Sequence, residues 1–327
     1  MELLKKLVEK AKIELKTIAF PESLEERTLK AVKMLIDQKV LKPVLIGNKQ
    51  AILDEIDKYS IKESDLQIVD IEDDNNLIYA EQYYELRKHK GMTMEKAKKI
   101  VKNPIFLAAF LVKNNIVDGY VCGAITSTGD TYKPALHIIK TKPGIKTAAT
   151  YFIMIHDDPS FGDEGVMIFA DCALMPDPNS EQLADIAISV SDSAARLLDM
   201  EPRVAMLSFS TKGSASHPAV AKVQEAIDLV TQRRPDIEID GPLQFDAALL
   251  ESVGKKKCPE SKIAGKANIF IFPDLNSGNI GYKIAQRLGG ASAIGPVTVG
   301  LNGSVNDLSR GCSVEDVFHV GVITALL

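Results

Sequence analysis

One alternation runs nearly the whole length of this chain and constrains its fold more than any other feature. A short apolar run of strand length is followed by a longer segment whose apolar residues recur at helical spacing. TIAF at 17–20 ends at Pro21, and LEERTLKAVKMLIDQKV follows, with Ser23 placed to cap it and Glu26 at the reciprocal position of a capping box. KPVLIG, ending at Gly47, an amphipathic stretch and QIVDI repeat the unit. Units this short close as right-handed βαβ crossovers.

Residues 79–100 read as two charged helical segments separated by Gly91, and 104–114 as an apolar helix. DGYVCGAITSTGDTYKPAL then reads as a buried strand breaking into a hydroxyl-rich loop, at the strand end where open α/β sheets bind ligands. Around KTKPGIKTAAT the pattern resets. YFIMI and VMIFA open a second strand set, continued by SEQLADIAISVSDSAARLL (helix), RVAMLSFS (strand), HPAVAKVQEAIDLVTQRR (helix), a helix near FDAALLESVG, NIFIFP (strand) and NIGYKIAQRLG (helix). CSVEDVFHVGVITALL is a last helix whose apolar face must pack back. For 327 residues this predicts two layered α/β/α domains, one spanning 1–145 with 301–327 returning to it, the other 146–300. With no low-complexity tract between them, they are expected to share a rigid interface and a cleft.

A net charge of -5 and a pI near 5.7 give no general attraction to nucleic acid or anionic lipid, although a local basic pocket stays open. The four cysteines, Cys122, Cys172, Cys258 and Cys312, form no CxxC pair, which favours a reducing compartment over a disulfide or thiolate-metal scaffold. MELLKKLVEKAKIELK is a charged amphipathic helix in pattern, not a signal core, and no run approaches the roughly 20 apolar residues that a bilayer requires. A cytoplasmic protein is expected.

The sharpest local motif is NDLSRGCSVEDV at 306–317. Ser309, Arg310 and Asp316 supply a small donor, a planar cation and a carboxylate within one loop-to-helix segment; the competing account is a helix cap with a surface ion pair. STKGSASHP at 210–218 offers hydroxyls and amides suited to phosphate, but it is no GxxxxGK[ST] loop, and a turn and cap satisfied by His217 explains it equally. Arg87, Lys133, Arg287 and Arg310 would form an anion pocket if the fold converged them, although Arg87 also suits a solvated helix face. PDLNSGNIGYK at 273–283 lacks GxGxxG, so NAD binding is unsupported. Cys312 reads as a packing thiol, and Asp171 and Asp177 as turn residues; no metal site is assigned.

GLNGSVNDLSRGCSVEDV resembles the active-site signature of phosphate acetyltransferases, and IAFPES, YYELRKHKG, PALHIIKT, MLSFSTKGSA, DIEIDGPLQFDAAL and AGKANIFIFPDLNSGNIGYKIAQRLG extend the resemblance over nearly the whole chain. It implies two α/β domains flanking a cleft, similar to the isocitrate and isopropylmalate dehydrogenase class, and a homodimer. It also implies reversible conversion of acetyl-CoA and phosphate to CoA and acetyl phosphate, by direct transfer in a ternary complex without metal or NAD. Asp316 would then deprotonate the CoA thiol, Ser309 would position the sulfur, and Arg310 would stabilise the acyl-phosphate transition state. Arg87 and Arg287 match substrate-binding positions. Lys133 stands where the family has arginine, keeping the charge and losing the bidentate fork. Residues contacting the rest of CoA are left unassigned. A butyryl or other short-chain acyl specificity is the nearest alternative, and a catalytically silent CoA sensor the more distant one.

Overall fold

The computed structural model describes residues 2–327. In chain order, the first part contains α1 (Glu2–Ile13), β1 (Thr17–Phe20), α2 (Glu26–Asp37), β2 (Lys42–Gly47), α3 (Lys49–Ile56), β3 (Gln67–Asp70), α4 (Leu77–Arg87), α5 (Met94–Ile100), α6 (Pro104–Lys113), β4 (Gly119–Cys122) and α7 (Thr128–Pro134). The second part contains β5 (Ala149–Ile155), β6 (Val166–Ala170), α8 (Ser180–Leu198), β7 (Arg203–Leu207), α9 (Pro218–Arg233), β8 (Glu238–Leu243), α10 (Phe245–Leu249), α11 (Glu251–Lys257), β9 (Ile269–Ile271), α12 (Leu275–Arg287) and β10 (Ser292–Val299). The chain closes with β11 (Ser304–Asp307) and α13 (Val314–Leu326).

These elements form two compact units. One runs to Lys140 and takes in Leu301–Leu327; the other is Thr141–Gly300. In the first unit a five-stranded sheet has the order β11-β4-β1-β2-β3, and every pairing is parallel. Its strands are short and apolar because helices cover both faces. α13 lies against α1, α2, β1, β4 and β11, which explains its nearly continuous apolar sequence and buries Val317, Phe318, Val320, Val322 and Ile323. In the second unit the order is β10-β5-β6-β9-β7-β8: β6, β9, β7 and β8 are parallel, while β5 and β10 add an antiparallel edge. Phe152, Phe169, Phe270, Leu207 and Leu243 fill its core.

Three local expectations are corrected. Ser23 does not cap α2; Glu25 does, with its carboxylate reached by the Arg27 amide. The Ser23 hydroxyl is drawn inward, where it accepts from the Ile46 amide and faces the Phe20 and Ile46 carbonyls, each at 2.8 Å, so it joins β1 to β2. STGDTYK is not a loop: Ser127 caps α7, accepting from the Asp130 amide at 3.2 Å, and a wider π-type turn over Ala135–Ile139 follows. The strands at Glu238–Leu243, Ser292–Val299 and Ser304–Asp307 escaped the hydropathy pattern. The first two are interrupted by Gly-Pro pairs, which ordinarily speak against a strand interior, and the third is short and polar.

The seam between β4 and α13 tolerates no side chain at Gly119, where a Cβ would lie 2.6 Å from the Ser304 carbonyl and 2.8 Å from Thr324 Cγ2. Gly119→Ala is therefore expected to cost about 1–3 kcal/mol through overpacking, seen as a lower urea midpoint at unchanged m-value.

Candidate active site

The first unit's sheet sends its strands β1, β4 and β11 into three loops at one edge. Glu22, in the turn after β1 and 6% exposed, holds the loop after β4 by its amides. Oε2 accepts from Gly123 at 3.0 Å and Ala124 at 2.8 Å, and Oε1 from Ile125 at 3.0 Å and Thr126 at 2.9 Å. Four consecutive amides facing one carboxylate make a tightly wound, charge-assisted turn. Its first residue must be glycine: Gly123 has φ +115°, and a Cβ would stand 2.2 Å from Asp307 Oδ1.

Arg27, on the first turn of α2, ties this loop to the one after β11. Its Nη2 donates to the Ala124 carbonyl at 2.9 Å, while Nη1 donates to the carbonyls of Arg310 at 2.8 Å and Cys312 at 3.1 Å. Nε is held by Glu25 at 2.5 Å. With its backbone anchored, Arg310 keeps its guanidinium on the surface, beside exposed Ser309. Ser309 Oγ accepts from the Gly311 amide at 3.2 Å, and its carbonyl accepts from Cys312 at 2.9 Å. Ser313 then caps α13. Its hydroxyl accepts from the Asp316 amide at 3.1 Å, and Asp316 Oδ2 accepts from the Ser313 amide at 2.8 Å. Asp316 is thus both an exposed carboxylate of the signature segment and the third helical residue of a capping box. The helix cap of the competing account is present, and Asp316 Oδ1 is left outside it.

Arg87 and Lys133 flank a contact that the sequence reading missed. Tyr83 is buried on α4, and its hydroxyl meets His137 Nδ1 at 3.0 Å. Arg87 lies four residues beyond Tyr83 on one helix, and Lys133 four residues before His137 on the other segment, and both cations lie near enough to His137 to act on it. His137 registers them: burial first, then Arg87, Lys133 and Lys90, push its pKa down. The two i, i+4 pairs were readable in the sequence, but not their tether. Arg287 belongs to the other unit, where it is exposed at the C-terminal end of α12, away from the helix N-terminus that follows β9.

The remaining candidates take structural roles. In STKGSASHP, the Ser214 hydroxyl accepts from the Thr211 amide at 3.0 Å and the Ser210 hydroxyl from Ala215 at 3.0 Å; Lys212 pairs with Asp240, and His217 caps α9. Asp171 accepts from Thr150 at 2.5 Å and from the amides of Ala173, Leu174 and Met175. Asp177 pairs with Lys222 at 3.1 Å. Among the described residues, no three His, Cys, Asp or Glu side chains converge as a metal-binding group, and no helix is long and apolar enough to cross a membrane. All four cysteines are free and buried; burial pushes the Cys312 thiol up despite Arg27 Nη1 at 3.5 Å from its sulfur.

Asp307, which the sequence reading also passed over, ends β11 directly before Leu308 and Ser309, and is 3% exposed. Oδ2 accepts from the Thr128 hydroxyl at 2.8 Å. Oδ1 is buried without a hydrogen-bond partner among the described residues. Burial pushes this carboxyl up to about 6, against the opposing pull of Thr128, Thr131 and the Leu308 amide, and nearby Glu22 raises it further.

A family model described as phosphate acetyl/butaryl transferase matches residues 2–325. A phosphate acetyltransferase of Thermoanaerobacterium thermosaccharolyticum is 47% identical over 326 residues, covering 100% of this chain and 99% of that one. Among solved structures, a phosphotransacetylase from Streptococcus pyogenes superposes with a TM-score of 0.94 at 43% identity, covering 99% of this chain and 97% of that one. A branched-chain phosphotransacylase from Enterococcus faecalis shares the fold at a TM-score of 0.67 and 21% identity, covering 95% and 99%.

Two outcomes follow from this geometry. Glu22→Gln sets an amide donor against two backbone donors and is expected to destabilise the first unit by about 2–4 kcal/mol, measured by urea unfolding. Asp307→Asn acts in the opposite direction. With its folded pKa raised from 3.8 to about 6, the ionised carboxylate costs stability, fully above pH 6 and progressively less below it. The shift corresponds to about 3 kcal/mol at most. The variant should melt above the wild type at pH 7.5, and the difference should narrow as the pH falls from 7 to 5.

Proposed function

Since the chain belongs to the phosphate acetyl/butaryl transferase family, we propose that it transfers an acetyl group reversibly between coenzyme A and inorganic phosphate. In the direction of acetyl-CoA synthesis, the CoA sulfur attacks the carbonyl carbon of acetyl phosphate. The S–C bond forms, the C–O bond to phosphate breaks, and phosphate leaves with the electron pair. The thiol proton goes to Asp316, whose Oδ1 lies outside the cap and is available to take it. Arg310 offsets charge on the carbonyl oxygen and departing phosphate, and Ser309 orients the sulfur. Arg87 and Lys133, with Arg287, bind the anionic groups of the substrates. Direct transfer in a ternary complex needs no acyl-enzyme intermediate, provided the two substrates are aligned.

The observation that carries these roles is the double anchoring of one exposed segment: Arg27 fixes the Arg310 and Cys312 carbonyls while Ser313 fixes Asp316, so Ser309, Arg310 and Asp316 are presented from a held backbone. The likeness to the isocitrate and isopropylmalate dehydrogenase class, a homodimeric state and a cytoplasmic setting are parts of the same proposal. The family description and the branched-chain neighbour favour one second reading, a longer acyl chain. Each added buried methylene is worth about 0.8 kcal/mol, so preference can change without moving the reacting groups.

Purified protein given acetyl-CoA and phosphate should release CoA and acetyl phosphate, equally with and without chelator and without added NAD. Preference for butyryl-CoA over acetyl-CoA would reverse the substrate assignment, and inactivity with all short acyl chains would defeat the reaction. Asp316→Asn separates base from cap, because the amide oxygen still accepts from Ser313. It is expected to lower kcat about 10²–10⁴-fold with little change in melting temperature.

A further inference from the structure

We propose that Asp307 is a positioning residue for this reaction, its carboxylate tying the first turn of α7 to the root of the loop that presents Ser309 and Arg310. The proposal rests on the transfer reaction read above. Asp307 sits between the two clusters assigned to substrate. On one side Thr128, its hydroxyl partner at 2.8 Å, opens the helix that carries Lys133. On the other, the next amide, that of Leu308, donates to the Cys122 carbonyl at 2.8 Å, and Ser309 follows at once. A displacement of this carboxylate therefore moves both Lys133 and the Ser309–Arg310 loop, because both are reached through its two neighbours.

A purely architectural residue would not be built this way. A buried polar atom left without a partner costs free energy, and Asp307 Oδ1 has no hydrogen-bond partner among the described residues. The ionisable groups that face the side chain are all acids: Glu22 from the turn after β1, and Tyr120 and Cys122 of β4. From α7 come only the hydroxyls of Thr128 and Thr131. Glu22 is already spent on four amides, and Arg27 lies across that loop, bonded to Glu25 and three carbonyls. A neutral amide of the same shape would keep a weaker acceptor for Thr128 while removing a buried charge beside Glu22, so the fold tolerates it although the tie to α7 slackens. The carboxylate is retained at a site where it weakens the fold, and such sites cluster where function sets the geometry.

The test compares wild type, Asp307→Asn, Thr128→Val and Thr128→Ser as full-length protein. Asp307→Asn is expected to melt at or above the wild type at pH 7.5, yet to lose kcat about tenfold or more while KM for CoA and acetyl phosphate stays within about twofold, the mark of an interaction made in the transition state. The acid limb of kcat between pH 5 and 7 should flatten in this variant. Thr128→Val should reproduce the loss, and Thr128→Ser should restore wild-type turnover. A kcat within about twofold of wild type in Asp307→Asn, or a loss that follows a lowered melting temperature, overturns the proposal. A second readout needs no turnover: the alkylation rate of Cys312 by iodoacetamide, mapped by mass, should rise severalfold in Asp307→Asn as the signature loop loosens. If the wild type transfers no acyl group, the functional reading falls on its own, and an unchanged Cys312 rate then overturns the positioning role as well.

Discussion

The candidate site is organised around one buried anion. Glu22 satisfies four successive amides that no strand or helix would otherwise pair, and in doing so it bends the chain after β4 into a compact turn. Three further features of the site use that turn. Arg27 reaches across it to grip the signature loop, Gly123 makes room beside Asp307, and Ser127 starts α7 one residue beyond the last captured amide. A carboxylate whose lone pairs are all occupied in this way is both charge-stabilised and geometrically determined, a combination that a neutral residue does not supply.

The second unit solves the same problem with Asp171. There a carboxylate that is 3% exposed gathers three amides and the Thr150 hydroxyl where β6 gives way to the next loop. Both units therefore use a buried acid to wind the backbone leaving a strand, Glu22 acting on the segment after β4 and Asp171 on the segment after β6. Irregular backbone can be buried at a strand end only if its polar groups find partners, and these two acids provide them. In FADCALMPDP, Asp171 is thereby engaged by backbone amides and the Thr150 hydroxyl.

How far the sequence could be read depended on the kind of signal. TIAF, KPVLIG, YFIMI and VMIFA announce themselves as strands by hydropathy alone, and α8 and α9 by period. The strands containing Gly241-Pro242 and Gly295-Pro296 are invisible to the same test, since pairing with a neighbour, not local preference, holds them extended. Ser309, Arg310 and Asp316 were legible because they are consecutive or nearly so. Glu22 and Arg27 were not, because their partners stand about a hundred and nearly three hundred positions away. Asp307 lay inside the quoted motif, yet nothing in its neighbours' identities shows that it is buried and half unpaired. Ser23, a good cap by pattern, was claimed instead by the carbonyls of two strands.

The first unit takes its edge strand β11 and its central helix α13 from the far end of the chain, after the whole second unit. During synthesis, β4 therefore waits with one flank open and its apolar face uncovered while residues 123–303, the second unit among them, are made. The signature loop emerges only after the second unit, so the loops of the first unit meet only once that unit has been made. A half-made chain of this topology has strands to aggregate with but lacks the signature loop. Its early exposure is a burden that chaperones or rapid docking of the tail must relieve.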